Sequence, residues 1–484
     1  MPLLPKPAEC FSCPLYGSGQ GFSRTEGSGR VGVYIIAEAL GENEELEGLP
    51  LRPYAMAGSM IERAIRRAST SDLPLSRDMF MLGNTVWCRP PENKLEKTWY
   101  EHDAIKQCGT YRNKSIQDFV SSCRANPNVK TPVILAAGNV PFRTLTDISG
   151  KRRSVTYMRG YPFHTAHGLV IPTFHPAYVA RTRKLIGVLV HDIYKAVQIA
   201  RNGFTEKPRT YHENPVYVDL RNLLEFLRAK PEMLVCFDIE TADIAKEHGK
   251  NKKWPELKSV QVSLGPGTGY FMDMDHVDVA KEILALPNPK AGHNVWRFDC
   301  RVLREKYGWE INGRIDDTLW MFHHWEPDLT IEASKDDTAG SGSLSTRAGL
   351  QFAASFFGMD FAWKHLAETE EYRKYGIADV DACQRIMSAL PEMMKDKKIW
   401  HGYDHLVVGN EPILTDMMGR GLPMDNDGRL ALHDTLVQTA KEVDIDLQAA
   451  YPDHLRNVQP KEGLVNPPRL TNTNYRKVYL DEIS

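Results

Sequence analysis

Two carboxylates stand two residues apart in Phe237-Asp238-Ile239-Glu240-Thr241. On a strand, a period of two sends both to the same side. Side-by-side carboxylates repel unless they share a cation, so the pair suits Mg²⁺ or Mn²⁺. The apolar flank Leu234-Val235-Cys236-Phe237 argues against a fully solvated strand edge. Two further pieces follow in order. Gly292-His293-Asn294-Val295-Trp296-Arg297-Phe298-Asp299 brings an acid to the start of a helix. Tyr375-Gly376-Ile377-Ala378-Asp379 sets a phenol and a carboxylate at i and i+4, on one helical face. Four carboxylates and a tyrosine can hold two cations roughly 4 Å apart and orient a water for in-line displacement at phosphorus. Asp316 and Asp317, in Arg314-Ile315-Asp316-Asp317-Thr318, read as supports of the fold.

A second set of residues is sulfur-based. Cys10-Phe11-Ser12-Cys13 is a Cys-x₂-Cys pair, too short to coordinate a metal alone. Cys88 closes an apolar stretch and Cys108 follows 20 residues later. Four thiolates suit tetrahedral zinc or a [4Fe–4S] cluster, and composition does not choose between them. Cys123 is an alternative fourth ligand. Cys236, Cys300 and Cys383 read as ordinary buried thiols.

The elements that must position these groups alternate in type. Val31–Ala37 is expected as a buried strand, Ala57–Ala68 as a helix, and Met79–Trp87 and Val133–Ala137 as strands. That order predicts an α/β domain with a largely parallel sheet over residues 1–205. Residues 206–215 read as a linker. A second α/β unit over 216–400 has strands at Leu234–Ile239, Ser259–Leu264 and Tyr270–Met272, with a loop at Ser334–Ser345. The pattern is mostly helical from Tyr372, and 401–484 forms a third, helical segment.

Charge divides along the same line. The 484 residues carry a formal charge of −2, but residues 1–210 hold 28 Lys+Arg against 18 Asp+Glu, and the remainder 32 against 44. Residues 151–210 alone hold 11 basic and 2 acidic side chains, which favours a polyanionic partner. No uncharged apolar run approaches the roughly 18 residues of a membrane span. The N-terminus lacks a basic segment followed by an apolar one. These features point to a cytoplasmic protein with reduced thiols and no membrane contact.

The carboxylate motifs resemble the DEDDy 3′–5′ exonuclease domains of family A DNA polymerases over about 216–400. The resemblance implies a ribonuclease H-like fold with a mixed sheet. It also implies metal binding by Asp238, Glu240, Asp299 and Asp379, and a water oriented by Tyr375.

Residues 8–200 carry another ordered set: Ala37-Glu38-Ala39-Leu40-Gly41, Asn84-Thr85-Val86-Trp87-Cys88-Arg89-Pro90-Pro91, Val133-Ile134-Leu135-Ala136-Ala137-Gly138 and Phe174-His175-Pro176-Ala177-Tyr178. This order resembles the family 4, iron–sulfur uracil-DNA glycosylases, and implies an α/β/α domain with Cys10, Cys13, Cys88 and Cys108 on a [4Fe–4S] cluster. By that resemblance Asn84 reads the Watson–Crick edge of an extruded uracil, Tyr54 stacks on it, and Gly41 lies against it. His175 stabilises the charge growing on uracil O2. Glu38 takes the place of the acid in a Gly-Glu-x-Pro-Gly loop in which Ala37 and Leu40 replace Gly and Pro. The basic runs Lys151-Arg152-Arg153 and Arg181-Thr182-Arg183-Lys184 are expected to flank His175 and contact phosphate.

His405–Asp427 resembles the helix opening the polymerase domain of family A enzymes. The motifs bearing nucleotidyl-transfer carboxylates have no counterpart here. The expectation is therefore a DNA-processing chain without polymerase activity of its own, of bacterial or phage setting. Either the sequence is a fragment of a polymerase, or a polymerase polypeptide is its partner.

Overall fold

The computed structural model describes residues 4–150, 152–242, 254–327, 329, 349–421 and 423–450. The loop expected at Ser334–Ser345 and Lys151 of the basic run lie outside the described residues. Two compact units divide the chain, Met1–Pro412 and Ile413–Ser484. The first contains two mixed sheets.

The N-terminal sheet has the order β2-β1-β3-β5-β4. Its strands are β1 (Val33–Ala37), β2 (Met81–Asn84), β3 (Val133–Ala137), β4 (Phe163–Thr165) and β5 (Gly168–Thr173). All neighbours run parallel except β4 against β5. Every residue of β1 and β3 is buried, as expected where helices cover both faces of a parallel sheet. β2 is shorter than the expected Met79–Trp87. Beyond Asn84 the chain leaves the ladder, Thr85 N donating to Ala37 O and Val86 N to Glu38 O. The strand order reverses around β1, which opens a crevice at the carboxyl ends of β1 and β3.

The second sheet has the order β11-β10-β7-β8-β9-β6. It comprises β6 (Thr210–His212), β7 (Val235–Thr241), β8 (Leu257–Ser263), β9 (Thr268–Asp273), β10 (Lys290–Gly292) and β11 (Ile315–Asp317). β7 and β8, and β8 and β9, pair antiparallel, while the outer pairs are parallel. Residues 206–215 do not form a tether. β6 lies inside that span as an edge strand on β9, and Lys207 N and Arg209 both bond the Asp360 carboxylate. A short strand buried on one edge leaves too little periodicity to separate it from a polar linker.

One apolar core runs from Ile35 and Leu135 at the first sheet to Trp363 and Ile386 beside the second. Between them, Arg159 and Asp192 form a buried ion pair at 3.1 Å. Arg159 also donates to Ser355 Oγ at 2.7 Å and stacks on Phe352 and Phe356. Thr173 Oγ1 donates to the other Asp192 oxygen at 2.7 Å. Among the described residues Arg159 Nε and Nη1 have no hydrogen-bond partner, so the buried pair is held by Asp192, Ser355 Oγ and the two rings, which ties Arg159 to the segment carrying Phe352 and Phe356. A separate core lies between the second sheet and the helices Tyr217–Ala229 and Val277–Ala285.

The unit Ile413–Ser484 includes the helix Asn426–Ala450, whose side chains are exposed from Asn426 to Val443. Among the described residues no helix is long and apolar enough to cross a membrane.

Candidate functional site

The crevice at the end of the first sheet holds a cavity of about 450 Å³, whose lining includes Glu38, Gly41, Met56, Asn93, His175 and Arg181. Glu38 follows β1 directly. Burial raises its pKa first, and the neighbouring Glu96 adds to the effect. His175 caps the helix Pro176–Arg181, its Nδ1 accepting from Ala177 N at 3.2 Å. That bond fixes the neutral tautomer with its proton on Nε2. Burial, with the Arg181 charge second, pulls the His175 pKa down to about 4. Gly138 at the end of β3 has φ +110°, and a Cβ there would lie 3.2 Å from the His175 ring.

The other expected base-reading residues are placed less uniformly. Asn84 ends β2 opposite Ala37 and is 2% exposed, and its Nδ2 has no hydrogen-bond partner. It lies behind the cavity lining rather than in it. Gly41 lines the cavity, but its N–H donates to Glu44 Oε2 at 2.6 Å. Tyr54 is outside the lining. It is 58% exposed and its hydroxyl bonds Glu47 at 2.7 Å. Leu51 is buried in the core, and among the described residues the lining holds no Phe, Tyr or Trp. Arg152 and Arg153 do not line the His175 cavity either; they face Lys364 and His365 in a different one. Their nearness in sequence to β5 gave no hint that the turn carries them to the other sheet. Arg181, from the second basic run, does reach the His175 cavity.

Cys10, Cys13, Cys88 and Cys108 gather in one buried cluster with Val86, Leu95 and Tyr100. They come from three pieces of chain: the turn Ala8–Ser12 and its end, the stretch after β2, and the helix Glu101–Arg124. Burial raises Cys88 to about 12 and Cys108 to about 11, with the neighbouring thiols adding to both. Cys123 sits instead in the main core, raised to about 11 by burial alone. Among the described residues, no three of these sulfurs lie within 4.8 Å of one another. A zinc–thiolate tetrahedron, with bonds of about 2.3 Å, needs edges of about 3.8 Å. Four thiols from three chain segments in one buried cluster are a donor set able to hold a metal centre.

On the second sheet, Asp238 and Glu240 project from β7 toward the helix Tyr372–Asp396. One oxygen from each and one from Asp379 lie within 4.8 Å of one another. Asp299 is outside that group, its Oδ1 accepting from Ile239 N at 3.0 Å, yet its charge is felt at Asp238. Burial raises the Asp238 pKa, and Asp299, Asp379 and Glu240 raise it further. Burial followed by Asp379 brings Glu240 up to about 7. Carboxylates that resist ionisation together are a donor set for divalent cations, and these fit Mg²⁺ or Mn²⁺. Asp316 and Asp317 hold the fold instead: Asp317 accepts from Asn294 N and Leu319 N, and Asp316 pairs with Arg314.

Two residues of this site carried no sequence signal. Lys364 Nζ lies 2.7 Å from Asp379 Oδ1 and 3.3 Å from the Tyr375 hydroxyl. Trp363 Nε1 donates to Asp379 Oδ1 at 2.8 Å. Both stand about 15 residues before Asp379, at no helical or strand spacing from it, so only the fold brings them there.

Comparison with known proteins bears on the two regions unequally. The model of the uracil DNA glycosylase superfamily matches residues 25–198. The type-4 uracil-DNA glycosylase of Thermotoga maritima is 30% identical over 191 residues, 39% of this chain and 88% of that protein. That of Saccharolobus solfataricus is 29% identical over 208 residues, 42% and 85% of the two chains. Among solved structures, the catalytic core of RRP6 from Trypanosoma brucei is 16% identical, with a TM-score of 0.31 over 43% of this chain and 52% of that one. NrnC of Brucella melitensis is 16% identical, with a TM-score of 0.29 over 45% and 95%. With Glu38, Gly41 and His175 around one cavity and its four cysteines in one cluster, the chain belongs, through its N-terminal part, to the type-4 uracil-DNA glycosylases.

Proposed function

We propose that this chain is a DNA-processing enzyme with two hydrolytic sites. The first excises uracil from DNA by N-glycosidic hydrolysis; the second removes nucleotides from 3′ ends. The observation that carries the proposal is the pairing, within Met1–Pro412, of the His175–Glu38 cavity with the Asp238–Glu240–Asp379 carboxylates.

At the first site an extruded uracil enters the cavity; the Asn84 amide, outside the lining and with its Nδ2 unpaired, reads its edge once the lining gives access to it. As the C1′–N bond breaks, negative charge grows on uracil O2, and His175 donates to it from Nε2 as a neutral ring. Glu38, a half-buried acid of the cavity lining, positions the water that adds to C1′. Arg181 holds the flanking phosphate. Cys10, Cys13, Cys88 and Cys108 would hold a [4Fe–4S] cluster that ties three distant chain segments together.

At the second site Asp238, Glu240 and Asp379, with Asp299 beside them, would hold Mg²⁺ or Mn²⁺, which supply charge neutralisation at phosphorus and an acidified water. Tyr375 orients that water for attack in line with the departing 3′ oxygen. Trp363 and Lys364 fix the Asp379 carboxylate. Residues 1–205 form the glycosylase module, 216–400 the exonuclease module, and 401–484 the opening of a family A polymerase-type domain.

A second reading treats residues 1–205 as a uracil- or template-sensing DNA-binding module without catalysis. The lack of Phe, Tyr and Trp among the described residues of the cavity lining favours it. Incubation with uracil-containing single-stranded DNA followed by alkali separates the two. Strand breaks above a uracil-free control establish excision; binding without breaks establishes the sensing module.

A further inference from the structure

Lys364, the partner of Asp379, also lines a second cavity of about 260 Å³ whose walls come from both modules. One wall is the turn carrying Ser149, Gly150, Arg152 and Arg153; the other carries Lys364, His365 and Glu368. The charged side chains are thus three cations and one acid, with an imidazole among them. Arg152 reaches across the junction, its guanidinium donating to Lys364 O at 3.5 Å, and its charge is felt at Glu240. The Arg153 charge is felt at His365, whose buried Nδ1 has no hydrogen-bond partner. Arg152 holds φ +57°, a left-handed conformation that non-glycine residues rarely adopt, just after Gly150 at +111°. Backbone strain of this kind persists where the surrounding structure holds it, and here it aims a guanidinium at the neighbouring module.

A guanidinium fork matches two oxygens of a phosphodiester, and a cationic cavity beside a carboxylate site solves a physical problem. The strand must approach Asp238, Glu240 and Asp379 against the repulsion of its own phosphates. We propose that Arg152 and Arg153 of the glycosylase module, with Lys364 and His365, form a phosphate subsite for the single-stranded DNA whose 3′ end lies at the carboxylates. The glycosylase module is then a structural part of the nuclease site. This rests on the exonuclease reading above.

The test uses the full chain and a 5′-fluorescein single-stranded oligodeoxynucleotide. In Mg²⁺, Arg152→Ala/Arg153→Ala should raise KM for 3′ digestion by about 10-fold or more and change kcat little. In EDTA, the salt dependence of binding read by anisotropy should flatten by about 0.7 in log–log slope for each phosphate that the variant no longer neutralises. Arg152→Lys/Arg153→Lys should restore most of the slope and part of the affinity, because charge returns without the fork. Unchanged KM and slope in the alanine variant would overturn the subsite. So would a fall in kcat alone shared by the alanine and lysine variants, which marks damage to the module junction. If the wild type digests nothing, the exonuclease reading fails separately; anisotropy then decides the subsite, which stands only if affinity falls with alanine and returns with lysine.

Discussion

His175 and Glu240 each sit in a partly buried site just past or near the end of a central strand, and burial is the first cause of both their pKa shifts. The consequences differ. Burial takes His175 down to about 4, leaving a neutral ring with its proton on Nε2. It takes Glu240 up to about 7, in a group of acids that cannot all ionise without an outside cation. The first site offers hydrogen-bonding groups; the second offers carboxylate donors, with Lys364 on Asp379. Low dielectric therefore serves a fixed neutral donor directly, but serves a carboxylate cluster only through metal binding.

This contrast can be broken most sharply at the carboxylates. Asp238→Asn/Glu240→Gln should lower Mg²⁺-dependent 3′ digestion on the order of 10³-fold or more, since several kcal/mol of charge stabilisation is lost. Uracil release by the same variant should be unchanged, and digestion at the wild-type rate would sink the assigned site. Next in size, His175→Ala should lower uracil excision by about 10²–10³-fold, the scale of removing one preorganised donor, and leave 3′ digestion as it was. A third comparison concerns the thiols. Cys88→Ser or Cys108→Ser should abolish iron content and the broad absorbance near 400 nm, with a loss of thermal stability. Cys123→Ser should keep both, as its sulfur is in the main core and not with the other four.

The smallest effect is on pH. Glu240 has its folded-state pKa raised, so its favourable contribution is present below its ordinary value and is lost as pH rises through about 7. In EDTA, the melting temperature should fall as pH rises from about 4.5 to about 7 and be restored by Mn²⁺; Asp238→Asn/Glu240→Gln should flatten that slope. His175 behaves in the opposite sense. Its folded pKa is depressed, so stability is lost as pH falls from about 6.5 toward 4, while excision should show no inflection near 6.5 from this ring. A melting temperature independent of pH and metal would contradict the charge account of the second site.

How far the sequence could be read depended on whether chemistry followed local spacing. Asp238 and Glu240 stand at strand period and Tyr375 and Asp379 at helix period, so their shared faces were legible before any fold was known. The four clustering cysteines were legible as a set, but only the fold separates Cys108 from Cys123, which lie on the same helix 15 residues apart. Lys364 and Trp363 were invisible, since they meet Asp379 through a turn with no periodicity. Arg152 and Arg153 were legible as cations and misplaced as neighbours of His175, because a left-handed turn sends them to the second module. Tyr54 shows the reverse: alignment by resemblance places it in the cavity, while its hydroxyl is held outside by Glu47. The strand β6 hid inside a polar stretch because its pairing, not its composition, makes it a strand.

On the proposed reading one chain carries two separable hydrolytic sites, one needing an added divalent cation and one not. A single strand with an internal uracil and a 5′ label tests it directly, in EDTA and in Mg²⁺, with alkali cleavage after each. The account predicts alkali-dependent breaks at the uracil in EDTA with the 3′ end intact, and progressive 3′ shortening only when Mg²⁺ is present. Shortening in EDTA, or no break above a uracil-free strand in either condition, would contradict it.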